Sequence, residues 1–164
     1  MINGRQKGAA FERQIAGMLF DEIGIKFQRD IEQYRQSQLC DLRPIDCDDW
    51  PFAIECKRYA SGNTYKPEWW GQTCLAASRS NLEPVLIYKY DRAPIRCVVS
   101  LQALAMSVGK DVNIGWIKTA ELDFDTFCYI ARELMCAQDT NGQSSQSIGR
   151  RSQSCDCLYC SISL

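Results

Sequence analysis

Two short stretches of this chain carry side chains that can act together in hydrolysis. They are Asp41-Leu42 and Ile54-Glu55-Cys56-Lys57-Arg58, and Glu55 follows Asp41 by fourteen residues. Alternate side chains of a β-strand point to the same face, so Glu55 and Lys57 would lie side by side, and Asp41 could join them from a neighbouring strand. Two carboxylates that hold a divalent cation suit phosphodiester hydrolysis, because the cation polarises the phosphoryl oxygen and helps to generate hydroxide from water. The lysine would orient that water or stabilise the developing charge.

The chain of 164 residues contains 0 histidines, and this absence narrows the possible chemistry. A Ser-His-Asp or Cys-His nucleophile, a zinc enzyme with histidine ligands and a histidine-metal nuclease are all excluded. A general base must therefore be a carboxylate, a lysine or a metal-bound water.

Composition indicates an ordinary globular protein, with 46% hydrophobic and 24% charged residues. The length predicts one domain that can bury a proper core. The sequence shows neither an apolar run long enough for a membrane span nor a signal peptide, so we expect an intracellular, cytoplasmic protein with no membrane partner. In that setting the 10 cysteines are best interpreted as buried free thiols.

The charges are distributed unevenly although the formal net charge is only -1. Residues 36–54 carry four acids against one base, whereas residues 55–96 carry seven bases against four acids. An acidic stretch followed by a basic one fits a metal-dependent enzyme that acts on a polyanion, although ordinary surfaces also show such patterns.

Hydrophobic periodicity and turn residues predict alternating helices and strands. The segment 4–8 would be a basic lead-in, either lying along a phosphate backbone or simply solvated. The predicted helices are 9–23, 67–80, 101–108 and 121–138, and the predicted strands are 25–29, 39–45, 52–59, 85–90, 95–99 and an edge strand at 116–118.

The strands 39–45 and 52–59 are separated only by a turn at 46–49, so they should form a hairpin. In that geometry Asp41 and Glu55 become cross-strand neighbours, with side chains about 4.5–5.5 Å apart. On the helix that follows, Trp69-Trp70 is better explained by core packing than by a base-stacking platform.

The chain divides into a predicted nuclease domain at 1–138 and a tail at 139–164. The tail is rich in Ser, Gln, Asn and Gly, which cannot bury enough apolar surface to offset the entropy of ordering, so we expect it to be flexible. It ends with Cys155, Cys157 and Cys160. A zinc site there would need a fourth ligand from a distant cysteine or a second subunit.

The order of these motifs resembles the PD-(D/E)XK nuclease superfamily. A helix with Lys7-Gly8-Ala9-Ala10-Phe11-Glu12-Arg13 comes first, then Asp41-Leu42, then Ile54-Glu55-Cys56-Lys57, then a helix with Gln72. Within the superfamily the combination is most similar to archaeal Holliday junction resolvases and related phage resolvase-like endonucleases, over residues 4–90. Glu-x-Lys alone is a weak pattern, and the order and spacing of the four elements strengthen it.

The resemblance implies an α/β fold in which a central mixed β-sheet is flanked by helices, as in restriction endonucleases. It implies cleavage of DNA with Mg²⁺, for which Mn²⁺ should substitute. Asp41 and Glu55 would be metal ligands together with the backbone carbonyl of Cys56, and Lys57 would position or activate the attacking water.

Four further residues follow from the same resemblance. Glu12 would match the first-helix glutamate, as an outer metal ligand or its support, or it is a surface acid paired with a nearby base. Gln72 would help to place the lysine or the water, or it is an ordinary polar helix residue. Cys40 stands where the family pattern has proline, and Ser37 is only a weak match to a functional serine of resolvases.

The resemblance also implies a homodimer that binds branched DNA. It would contact mainly the phosphates and read little of the base sequence. Two alternatives stay open: a restriction-type or general duplex endonuclease of the same fold, and a DNA-binding protein without catalysis. The residues expected to contact phosphates are Lys7, Arg13, Arg29, Arg35, Lys57, Arg58 and Arg79.

Overall fold

A computed structural model describes residues 4–29, 40–110 and 112–142. Arg35, Ser37 and the three tail cysteines therefore lie outside the described residues. Within the described ranges, no helix has the length and apolar character needed to cross a membrane. The elements in chain order are α1 (Gly4–Ile23), β1 (Phe27–Arg29), β2 (Leu42–Pro44), β3 (Phe52–Tyr59), α2 (Pro67–Ser80), β4 (Glu83–Tyr90), β5 (Arg96–Ser100), α3 (Leu101–Ser107), β6 (Thr119–Leu122) and α4 (Phe124–Gly142).

The six strands form one mixed sheet in which their spatial order equals their order in the chain. Strands β3 and β4 are parallel, and every other neighbouring pair is antiparallel. Parallel neighbours need a crossover connection, which α2 supplies. The predicted α/β fold with a mixed sheet and flanking helices is therefore confirmed.

Hydrophobic side chains pack on both faces of the sheet. On β4, Val85 and Ile87 join the main core with α1, α3 and α4, whereas Leu86 and Tyr88 join a second cluster with Trp69 of α2. Alternation along a strand explains this division, because successive side chains point to opposite faces. Trp69 is buried, which confirms core packing for this residue.

The first helix begins earlier than its apolar pattern predicts. Residues 4–8 are helical, so the expected basic lead-in is wrong. Arg5, Gln6 and Lys7 are good helix formers without an apolar stripe, which is why hydrophobic periodicity misses them. The Lys7 ammonium also lies 2.5 Å from the Asp91 carboxylate, which attaches this turn to the end of β4.

The predicted edge strand at 116–118 and the predicted start of the last helix are both wrong. Residues 116–118 are bends, because the Trp116 indole N–H donates to the Glu83 carboxylate (3.1 Å) and directs this segment toward the start of β4. The edge strand is β6, which includes Leu122. Helix α4 begins at Phe124, since the Asp123 carboxylate accepts a hydrogen bond from the Thr126 N–H (2.7 Å) and caps it.

The described cysteines are thiols and not disulfides, as expected, but they are not all buried. Cys56, Cys97 and Cys128 are buried, and burial raises the pKa of the Cys128 thiol to about 12. Cys136 is exposed on α4. Thiols with a raised pKa carry little thiolate and react slowly, so the buried cysteines serve as packing residues.

Gly62 should be essential to the loop that follows β3. Its φ is +150°, and a Cβ at this position would lie 2.1 Å from Cζ of the Tyr90 ring. We expect Gly62→Ala to lower the free energy of unfolding by about 1–3 kcal/mol through overpacking and backbone strain. Gly71→Ala is the matched control, because its Cβ meets nothing within 4 Å on exposed α2, and it should stabilise by about 0.5–1 kcal/mol. Urea unfolding measures both, and a neutral Gly62→Ala would contradict the contact.

Candidate active site

The hairpin of β2 and β3 brings Asp41 next to Glu55. Leu42 pairs with Ile54 in the antiparallel register, and the Asp41 N–H donates to the Ile54 carbonyl at 2.8 Å. The predicted strand at 39–45 with Asp41 in it is wrong in its bounds, because β2 spans only Leu42–Pro44 and Asp41 lies in the bend before it. Asp41 is nevertheless close enough to Glu55 for its charge to raise the pKa of that carboxyl. Because Ile54 and Cys56 belong to the main core, Glu55 points to the other face of the sheet, where α2 lies.

The Asp41 carboxylate is held by the backbone of β3. Its Oδ2 accepts a hydrogen bond from the Cys56 N–H at 2.6 Å, and the residue is buried. The N–H and C=O of one strand residue face the same neighbouring strand, so the Cys56 carbonyl also faces the side on which Asp41 lies. The Asp41 carboxylate therefore lies beside the Cys56 main chain, and its charge also acts on Glu55.

Glu55 and Lys57 are neighbours on the same face of β3, as the alternation predicts. Lys57 Nζ lies 2.6 Å from Glu55 Oε1, and the two side chains are 22% and 13% exposed. Burial, and then the charge of Asp41, raise the pKa of Glu55 to about 7 although Lys57 opposes this shift. Burial alone would lower the pKa of Lys57, but the Glu55 carboxylate raises it, so the lysine remains an ammonium ion.

The donor set fits a hard divalent cation. Among the described residues, no group of three or more His, Cys, Asp or Glu side chains is arranged to hold a metal ion. The set here has two side-chain carboxylates, Asp41 and Glu55, and the Cys56 carbonyl. Mg²⁺ is usually bound by one or two carboxylates together with waters and substrate phosphates, so this small set is sufficient. A cation would also relieve the repulsion that raises the pKa of Glu55.

Glu12 and Gln72 are less closely connected to this cluster. Glu12 forms an ion pair with Arg29 of β1, and its charge makes a smaller contribution to raising the pKa of Glu55. Gln72 is exposed on α2, and no hydrogen bond between described residues joins it to Asp41, Glu55 or Lys57. The structure therefore assembles three of the five predicted catalytic side chains directly.

Several of the predicted phosphate-binding bases are engaged in ion pairs within the protein. Asp91, in the turn after β4, binds Lys7 at 2.5 Å and Arg58 at 2.9 Å. The two cations lower the pKa of Asp91, which keeps it ionised. Arg29 pairs with Glu12. Among the predicted bases that the structure describes, Arg13 and Arg79 are exposed.

Tyr59 is a residue near the site that the charged motif does not reveal. It follows Glu55 and Lys57 at the same two-residue spacing, and its ring stacks on Trp69 with centroids 4.7 Å apart. Extending the alternation of β3 by one more step would have identified it. Tyr59 therefore shares the α2 face with the carboxylates.

Comparisons with known proteins agree with the ordered motifs. A family model described as "Phage putative PDDEXK endonuclease" matches residues 3–142, which is most of the chain. Among solved structures, the chain is similar to Hjc, a Holliday junction resolvase from the archaeal hyperthermophile Archaeoglobus fulgidus, with 21% sequence identity and a TM-score of 0.43. That similarity covers 75% of this chain and 87% of that chain. No curated protein matches significantly.

The raised pKa of Glu55 predicts a pH-dependent effect of Glu55→Gln on the metal-free protein. The pKa of Glu55 is about 7 in the folded protein and 4.5 in the unfolded chain. The contribution of this carboxyl to folding stability is therefore fully present below pH 4.5 and is lost as the pH rises through about 7. In chelator, Glu55→Gln should therefore melt several °C above wild type at pH 8 and at nearly the same temperature at pH 4.5.

Thermal melts at the two pH values check this prediction, and added Mg²⁺ gives a second readout. Mg²⁺ should raise the melting temperature of wild type at pH 8 more than that of Glu55→Gln, because ligand binding stabilises the folded state. Equal melting temperatures of both proteins at pH 8 without metal would show that the Glu55 carboxylate is not under electrostatic strain.

Proposed function

We propose that this chain is a magnesium-dependent deoxyribonuclease that cuts branched DNA. The chain belongs to the phage PDDEXK endonuclease family, and the proposal starts from that membership. The observation that carries the catalytic part is the cluster of buried Asp41 with partly buried Glu55 and Lys57, in which Lys57 Nζ lies 2.6 Å from Glu55 Oε1. A nuclease needs groups that hold a cation and stabilise charge on a phosphoryl group. This cluster supplies both kinds of group, from β3 and from the bend before β2.

The roles of the individual groups follow from their contacts. Asp41, Glu55 and the Cys56 carbonyl would hold Mg²⁺, which supplies Lewis-acid polarisation of the phosphate and favours ionisation of water. The Cys56 N–H fixes the Asp41 carboxylate at 2.6 Å, so this ligand is preorganised. Lys57, held by Glu55, can donate to a phosphate oxygen as charge develops there. Glu12 is proposed to act indirectly, through its charge and its ion pair with Arg29.

The substrate preference and the assembly are finer parts of the proposal. Branched DNA as substrate is supported by the order of the four sequence motifs, which resembles Holliday junction resolvases. A homodimer would place two sites across a two-fold axis, which suits paired cuts in opposed strands of a four-way junction. A cytoplasmic location, a nuclease domain at 1–138 and phosphate contacts from Arg13, Arg35 and Arg79 complete the proposal.

Catalysis should depend on the carboxylate and lysine of β3. With Mg²⁺, Glu55→Gln and Lys57→Ala should each lower the cleavage rate by at least about 10²-fold, because each removes a charge that acts on the phosphoryl group. Lys118→Ala is the matched control, since Lys118 is exposed before β6 at the opposite edge of the sheet. Gel-based cleavage of labelled DNA measures the rates, and wild-type activity in Glu55→Gln would contradict the site assignment.

The preference for branched DNA is tested with a four-way junction and with linear duplexes that have the sequences of its arms. Wild type should cut the junction at least about 10-fold faster than any arm under the same Mg²⁺ concentration. Equal rates would indicate a general duplex endonuclease. Binding of both DNAs without any cleavage, in Mg²⁺ or Mn²⁺, would indicate a DNA-binding protein that has no catalytic activity.

A further inference from the structure

The row of functional side chains on β3 continues beyond the charged residues to Tyr59. Glu55, Lys57 and Tyr59 alternate along one regular strand, so all three project from the α2 face. At about 3.3 Å per residue, Tyr59 lies about 13 Å along the strand from Glu55. That separation corresponds to a few nucleotides of DNA, whose phosphates follow each other every 3.4 Å along the duplex axis.

The Tyr59 ring is held in place on one side. It stacks on the ring of Trp69 with centroids 4.7 Å apart and planes 16° from parallel. Trp69 is only 5% exposed and packs against the rings of Tyr88 and Tyr90, each at 6.3 Å. Since Trp69 is fixed by the second core cluster, the orientation of Tyr59 is fixed as well.

The remainder of the Tyr59 ring is available to a ligand. The residue is 44% exposed, and one face of its ring lies on Trp69. Lys66 Nζ lies 5.6 Å from the centroid of Tyr59 and 5.7 Å from that of Trp69. The ring therefore combines an aromatic surface with an adjacent positive charge, which is the combination that proteins use to bind single-stranded nucleic acid.

The loop that follows Tyr59 also has a fixed path. The Tyr90 hydroxyl donates to the Thr64 carbonyl at 2.7 Å, and Gly62 lies directly against the Tyr90 ring. This loop connects β3 to α2, whose first turn follows Lys66. The aromatic surface is thus part of the rigid scaffold that also positions Lys57.

We propose that Tyr59 is a stacking surface for an unpaired nucleobase of the DNA strand whose phosphodiester lies at Asp41, Glu55 and Lys57. This inference rests on the proposed function, because it takes DNA as the substrate. A base in an intact duplex has both faces covered by its neighbours, so only an unpaired or extruded base can present a face to Tyr59. Lys66 would contact the adjoining phosphate. The stacked rings of Tyr59 and Trp69 would thereby favour DNA that has an unpaired base near the cleaved phosphodiester.

The test uses DNA with one unpaired 2-aminopurine, an adenine analogue whose fluorescence is quenched by stacking. Binding is measured in chelator, so that no cleavage occurs. Wild type should quench the probe, whereas Tyr59→Ala should lose the additional quenching and bind this DNA about 5- to 150-fold more weakly. Both proteins should bind a fully paired duplex with equal affinity. Tyr59→Phe should retain quenching and affinity, because the ring and not the hydroxyl forms the stacking surface.

Tyr129→Ala is the matched control, since Tyr129 is 58% exposed on α4 on the opposite face of the sheet. Thermal melts establish that each variant is folded. Equal affinity losses for paired and unpaired DNA, or unchanged quenching in Tyr59→Ala, would overturn the inference. If wild type quenches the probe but does not cleave DNA in Mg²⁺, only the proposed function is overturned. If wild type cleaves DNA but Tyr59→Ala does not change binding, only the stacking inference is overturned.

Discussion

The division of β3 between two faces of the sheet is the constraint on which the rest of the structure depends. Ile54 and Cys56 enter the main core, and this fixes Glu55, Lys57 and Tyr59 on the α2 face. A shift of one residue would exchange the two sets and bury charges in the core. The parallel pairing of β3 with β4 extends over all of β3, so the register is determined along its whole length.

The same strand pairing explains how a buried carboxylate can be tolerated. The Cys56 N–H is buried and needs an acceptor, and the Asp41 carboxylate provides it in place of a backbone carbonyl. Asp41 thus both satisfies a backbone hydrogen bond of the sheet and supplies a carboxylate to the site. Glu55 is stabilised only in part by Lys57, and its raised pKa shows that the charged form is disfavoured. Apolar cores on both faces of the sheet provide the stability that offsets this unfavourable charge.

Local sequence patterns were sufficient to predict the bounds of β3 and α2. The bounds 52–59 for β3 and 67–80 for α2 agree with the structure, because strand alternation and a proline at the helix start are local signals. The short turn between β2 and β3 also predicted that Asp41 lies near Glu55, although Asp41 stands in the bend before β2 and not within the predicted strand. The family match confirms the resemblance that these motifs indicated.

The contacts that sequence patterns could not provide are those between distant parts of the chain. The pair of Lys7 and Asp91 joins residues 84 positions apart, and it exists only because α1 packs against the sheet. The bend at Trp116 depends on its hydrogen bond to Glu83, 33 positions away. Periodicity reports which face of an element is apolar, but it does not report the polar partner that another element brings.

These internal ion pairs change how recognition of DNA must be explained. Lys7 and Arg58 share one acid, so the three groups together present one net positive charge and not two. A chain of net charge -1 with several bases already paired has little excess positive charge to attract a polyanion. On the proposed function, recognition would then depend more on groups held in fixed positions, such as a cation held by the carboxylate pair and the Tyr59 ring. Groups of that kind respond to the local shape of the DNA, whereas diffuse positive charge attracts every duplex equally.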